Sequence, residues 1–149
     1  MRMSLQSYET KMRNWQRKMP LELERALGVA AAEVIGYTQK KRLSGPKMPR
    51  GESGGFFGSR LAVGQHYGGH LRDSLTKRVK VTGQKVTAKI GTNVGYGAVH
   101  EFGKSVKRGS KMIKMPLRPW LRPSVQEERP RILKQILAAM MRSYRGSGT

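Results

Sequence analysis

Three histidines (His66, His70 and His100) and nine carboxylates are the groups from which acid–base or metal chemistry would have to be built in this 149-residue chain. His66 and His70 stand four apart, the spacing that presents two imidazoles to a metal from one helix face. Gly68 and Gly69 lie between them, and two glycines are expected to break such a helix. His100 precedes Glu101, but adjacent residues point to different faces, and no G-x-S-x-G elbow supplies a nucleophile. Cys is absent, which removes thiol catalysis, cysteine-based zinc sites and disulfides. No G-x-x-x-x-G-K-[ST] cradle for phosphates occurs, and no carboxylate pair suited to glycoside chemistry stands out. A small basic ribonuclease would need His100, Tyr96 and Arg118 to converge in one cleft. The expectation is a protein that is not an enzyme and uses no metal and no cofactor.

Charge carries more information. Thirty Lys and Arg oppose nine Asp and Glu, for a formal net charge of +21. Such a surplus repels itself unless an anionic partner or an assembly neighbour offsets it. Eleven of the basic residues and only two acids fall in residues 70–115, so the excess belongs to the folded body and not to a tail. Hydrophobic residues make up 37% and aromatics 7%, a thin supply for an isolated globule. No run of eighteen apolar residues is present to span a membrane, and Met1 to Tyr8 lack the apolar core of a signal peptide. These features predict a soluble chain made in the cytoplasm that works inside an assembly. A sequence pI near 11.2 also suits nucleic acid. Zinc-finger, homeodomain and RNP motifs are missing, however, and aromatics do not interleave with the basic runs. Any nucleic-acid contact would therefore be unspecific, through phosphates, and salt-sensitive.

The elements that must position these charges follow from periodicity. Leu23, Leu27, Ala30 and Val34 recur at helical spacing and predict a long helix from Leu21, with Pro20 in its first turn, Glu22 and Glu24 near its start and Lys40, Lys41 and Arg42 at its end. A shorter helix is expected before it, over Tyr8–Lys18, with Met12 and Trp15 inward. Residues 44–69 read as a Gly/Pro-rich loop. Its Phe56 and Phe57 either tack the loop onto its own body or anchor it on a neighbouring subunit. Val79, Val81, Val86, Ala88 and Ile90 alternate with polar residues around Thr82-Gly83-Gln84, which predicts a hairpin. Its outer face then carries Arg78, Lys80, Lys85 and Lys89, which either protect a sheet edge or meet DNA or an acidic partner. Residues 103–115 read as a basic loop whose Lys104, Lys107, Arg108 and Lys111 add to that contact, with a short strand starting at Lys111. Pro116, Pro119 and Pro123 bracket Trp120 in a stiff connector. Ser124 and Glu127 have capping-box spacing ahead of a last helix whose apolar face comprises Ile132, Leu133, Ile136, Leu137, Met140, Met141 and Tyr144. Pro130 is expected to kink that helix or reset its start, and residues 146–149 to fray.

Four motifs in register add a family resemblance. Tyr96-Gly97-Ala98-Val99-His100-Glu101-Phe102-Gly103 resembles the Y-A-x-x-x-[EQ]-F-G signature of tailed-bacteriophage tail-completion, minor tail, head–tail joining or virion-morphogenesis proteins. Pro116 to Pro123 (PLRPWLRP) is similar to that family's [PA]-x-R-P-[FW]-L-x-P element. Leu71-Arg72-Asp73-Ser74-Leu75 resembles the L-R-x-S-[LI] that opens its hairpin, and Ile90-Gly91-Thr92 its I-G-T strand end. Gly97 stands where alanine is common. The resemblance implies a structural role at the neck, where a ring of subunits, six-fold in related neck proteins, joins tail to head around the DNA channel. It also implies neighbouring neck, tail-terminator or tail-tube proteins as partners. The motif residues Tyr96, His100, Glu101, Phe102, Gly103, Arg118, Pro119 and Trp120 become the family and interface candidates. Tyr96 and Phe102 would bracket a short helical turn packed as core, ended by Gly103. Glu101 would pair with Arg118 or Arg122, and Trp120 would be a peg for a pocket in the same subunit or the next.

The reading is thus one α+β domain over residues 1–149, with a long N-terminal helix, a small antiparallel sheet and a C-terminal helix packed on it. Its expected function is a homo-oligomeric ring in the virion, touching no membrane and meeting genomic DNA unspecifically if at all. The competing expectation is a stand-alone unspecific nucleic-acid binder acting through the hairpin face and the 103–115 segment.

Overall fold

The computed structural model describes residues 4–43, 68–114, 117 and 119–147. Phe56 and Phe57, His66 and most of the 44–69 segment lie outside them. The element order is α1 (Leu5–Lys41), α2 (Gly68–Asp73), β1 (Leu75–Thr82), β2 (Lys85–Thr92), α3 (Gly95–Phe102), β3 (Ser105–Arg108), β4 (Lys111–Lys114) and α4 (Leu121–Arg145). The α+β class and the long helices at either end are as the sequence predicts.

Helix α1 corrects one expectation. It is a single helix of 37 residues with Pro20 inside it, not a short helix followed by a long one. A proline within a helix removes one hydrogen bond and crowds the preceding turn, at a cost of about 3 kcal/mol. The inward stripe, however, runs unbroken across it at spacings of three and four: Met12, Trp15, Met19, Leu23, Ala26, Ala30, Val34, Thr38. Burial on both sides of the proline keeps the helix whole. No acid lies in its first turn; instead the Ser4 hydroxyl accepts the Ser7 N–H at 3.2 Å and caps the start. Lys40 and Lys41 do occupy the last turn.

The strands form two separate two-stranded sheets, β1–β2 and β3–β4. The first hairpin turns at Gly83 and Gln84, with Gly83 at φ 59°, as its sequence predicts. In the second, β4 starts at Lys111 as the sequence predicts, while β3 lies where a basic loop is expected. This hairpin pairs Ser105 with Lys114, Val106 with Ile113, Lys107 with Met112 and Arg108 with Lys111. Gly109 at φ 63° supplies the backbone that its turn requires. Gly68 and Gly69 form the start of α2 and His70 lies within it; the expected break between His66 and His70 lies partly outside the described residues.

The chain divides into two compact units. One comprises the chain up to Ala32, the hairpin tip Lys77–Lys89 and the chain from Arg129. Here Trp15 meets Tyr144 edge-on at 6.3 Å, and the Lys11 ammonium lies 4.3 Å from the centre of the same tyrosine ring. Lys77 donates to the Gly28 carbonyl at 2.5 Å, and Lys18 to the Gly146 carbonyl at 2.6 Å. Gly146 and the buried Ser147 are therefore held where fraying was expected; the last two residues lie outside the described set. The other unit comprises Glu33–Thr76 and Ile90–Glu128. Its core is Leu43, Leu71, Leu75 and Trp120, with Ile35, Val94 and Leu121 packed against it.

Helix α4 takes Pro123 into its first turn, where a missing N–H costs nothing, so the stiff connector ends earlier than the prolines suggest. It also runs through Pro130 without restarting.

Candidate functional site

The family-like motifs converge in the second unit around Glu101. This carboxylate is buried, and its two oxygens accept the backbone N–H groups of Trp120 at 2.7 Å, Leu121 at 2.9 Å and Arg122 at 2.9 Å. A helix begins with N–H groups that have no partner within it, and a negative charge is favoured at that positive end. Glu101 therefore caps α4 from α3, about twenty positions away in sequence. Of the two expected ion-pair partners, Arg122 meets Glu101 through its backbone N–H, and its guanidinium lies 4.8 Å from the centre of the Phe102 ring. Arg118 lies outside the described residues.

The expected capping box is absent because α4 starts at Leu121, which puts Ser124 inside the first turn, where it donates to the Trp120 carbonyl at 2.7 Å. Glu127 instead accepts the Tyr37 hydroxyl at 2.5 Å and pairs with Arg42. The hydrogen bond to Glu127 holds the Tyr37 proton in place and raises its phenol above the usual value of 10.0, with lesser contributions from desolvation and from the carboxylate charge.

Trp120 is 3% exposed, and its Nε1 donates to the Gly97 carbonyl at 3.0 Å. Its pocket is in its own chain, which corrects the alternative of a peg reaching the next subunit. A Cβ on Gly97 would lie 2.7 Å from Thr92 Cγ2, 2.9 Å from Leu71 Cδ1 and 3.6 Å from Trp120 Cζ2, so the missing methyl lets these groups close together. Thr92 in turn accepts the Val94 N–H and shares a 2.5 Å contact with Ser74. All four motifs thus meet in one packed cluster.

Within α3 the burial differs from expectation. Gly97, His100 and Glu101 are buried, whereas Tyr96 is partly exposed and Phe102 is 60% exposed. The buried three sit at i, i+3 and i+4, one helical face, and the aromatics fall off it. Tyr96 meets the His100 ring edge-on at 6.1 Å. Gly103 ends the helix at φ 64°, its N–H bonded to the Val99 carbonyl, as its type predicts. Pro119 is exposed.

Two further surfaces stand out. Arg78, Lys80, Lys85 and Lys89 are all exposed on the first hairpin, and period-two alternation sets them on one face. In the second unit Lys104, Lys107 and Lys111 are exposed; the side chain of Arg108 lies outside the described set. A further surface lies on the wide apolar face that the sequence assigns to the last helix. On α4, Ala139 is buried and Ile132, Ile136 and Met140 are half-buried, but Leu133, Leu137, Met141 and Tyr144 are exposed. The apolar face runs about halfway round the helix, wider than one contact needs.

Among the described residues no group of three or more His, Cys, Asp or Glu could hold a metal, and no helix is long and apolar enough to cross a membrane. The pattern of the phage virion morphogenesis family matches residues 59–141, more than half of the chain. An uncharacterized protein of Methanocaldococcus jannaschii is 29% identical over 142 residues, covering 89% of this chain and 98% of its own. No solved structure matches.

Proposed function

We propose, from the premise that this chain belongs to the phage virion morphogenesis family, that it is a structural subunit of the particle's neck or tail end, where copies of it close into a ring that completes the tail and joins it to the head. The observation that carries this reading is the uncovered face of α4. Leu133, Leu137 and Met141 are 49%, 60% and 59% exposed on one side of a helix. Burying the exposed parts of these three side chains is worth about 3 kcal/mol, which a lone subunit forgoes. One such patch does not overcome the entropy of association, but contacts repeated around a closed ring reinforce one another. A net charge of +21 likewise suits a position beside DNA or acidic neighbouring proteins.

Disruption and complementation test the proposal. Particles made without this chain are expected to accumulate as separate heads and tails. The wild-type chain is expected to restore joining, and a Leu137→Glu chain that remains folded is not. Joined, infectious particles in the absence of the chain would refute the role.

The exposed hairpin cations favour a second reading, a stand-alone binder of nucleic acid. It predicts a monomer or dimer with affinity that falls steeply with salt and no joining defect when the chain is removed. A ring subunit predicts an oligomer, or association with tails, that survives nuclease.

A further inference from the structure

In the first unit, α1 and α4 leave an open groove between them. Two adjoining depressions of about 290 and 260 Å³ share Glu22, Arg25 and Arg142 as lining residues and so form one trough. Apolar side chains line its length: Ala26 and Ala138, with Leu21 and Val29 standing 57% and 54% exposed. Its charges are Lys18, Arg25 and Arg142 against the single acid Glu22, which Arg25 holds at 3.0 Å and Arg142 approaches at 3.8 Å. Three cations against one acid leave the lining with a net charge of +2. At one end Ser143 also lines the trough, buried, its hydroxyl without a hydrogen-bond partner among the described residues.

We infer that this groove is a docking site for an acidic amphipathic helix of another protein. From Lys18 to Val29, α1 rises about 16 Å, the length of three helical turns, enough for anchors at i, i+3 or i+4, and i+7. Apolar anchors would cover Leu21, Ala26, Val29 and Ala138, while flanking carboxylates would meet Lys18, Arg25 and Arg142. The apolar floor disfavours nucleic acid, whose phosphates require hydrated or cationic contacts, and the hairpin offers those instead. A second copy of this chain would have to bring carboxylates to Lys18, Arg25 and Arg142, and with nine acids against thirty cations it has few to offer. Leu133, Leu137 and Met141 do not line the groove, so the inference stands apart from the ring.

The probe is a fluorescein-labelled synthetic helix of Leu, Ala and Glu, compared with a scrambled peptide of the same composition, by anisotropy against the full chain at physiological salt. The helical peptide is expected to bind about tenfold tighter than the scrambled one, and Val29→Asp and Arg142→Ala each to weaken it about tenfold. Lys80→Glu, on the hairpin, is expected to leave the affinity unchanged. Circular dichroism checks that the variants fold, and Leu21→Asp, at an exposed position, replaces either that does not. Equal binding of both peptides, or equal weakening by Lys80→Glu, would reduce the effect to bulk charge and overturn the inference. So would duplex DNA bound with the same dependence on Val29 and Arg142, or self-association that Val29→Asp abolishes without peptide.

Discussion

Replacing Glu101 by alanine should destabilise the protein more than any other single change at an acidic residue. Its carboxylate satisfies three N–H groups at the start of α4. The Trp120 N–H is buried and has nowhere else to turn, so stranding it costs about 1–3 kcal/mol. The Leu121 and Arg122 N–H groups are only partly buried and can meet water, which leaves the ordinary loss of a cap, about 1 kcal/mol. Loss of a negative charge at the positive helix end adds up to about 1 kcal/mol. The total is about 3–4 kcal/mol, a large share of the 5–15 kcal/mol typical of a folded domain. Glu101→Gln keeps one carbonyl acceptor but no charge and should cost about half as much. Urea denaturation followed by circular dichroism reads both values, and amide exchange at Trp120 should accelerate in the alanine variant. If alanine costs under about 1 kcal/mol, the clasp does not hold the helix and the reasoning fails. If glutamine matches wild type, the charge plays no part.

Gly97→Ala would install the residue common in the family but place a methyl 2.7 Å from Thr92 and 2.9 Å from the buried Leu71. It should cost about 1–3 kcal/mol by overpacking, and a simultaneous Leu71→Ala should lose less than the two changes taken separately; strict additivity would contradict the contact. Tyr37→Phe removes the hydrogen bond to Glu127. Because the folded phenol titrates above its usual 10.0, the wild type's advantage should be constant below pH 10 and disappear as pH rises through the raised value. An advantage that grew with pH would refute the assignment.

What the sequence revealed depended on whether the cause was local. The outer helices, the first hairpin and the φ of Gly83 and Gly103 follow from periodicity and residue type. Pro20 misled because a rule about one residue was set against a stripe of eight inward positions, and the stripe prevailed. In residues 103–115 the strand at Lys111 was legible, but Ser-Val-Lys-Arg has one apolar residue and no alternation to mark β3, which forms by pairing with β4 across the turn at Gly109. The Ser124–Glu127 spacing suits a cap, but α4 starts three residues earlier, where Glu101 of α3 caps it, and no local pattern reveals a clasp from another helix. The order of burial in α3 was legible, since Gly97, His100 and Glu101 share a face; the assumption that aromatics go inside obscured it. The exposed leucines of α4 fall on the apolar face that periodicity marks in the last helix.

A density map of the neck of virions containing this chain, at side-chain resolution, tests the central claim most directly. The account predicts several copies around the channel, with Leu133, Leu137 and Met141 of each pressed against its neighbour. Virions that lack the chain, or copies whose α4 leucines face open solvent, would contradict it.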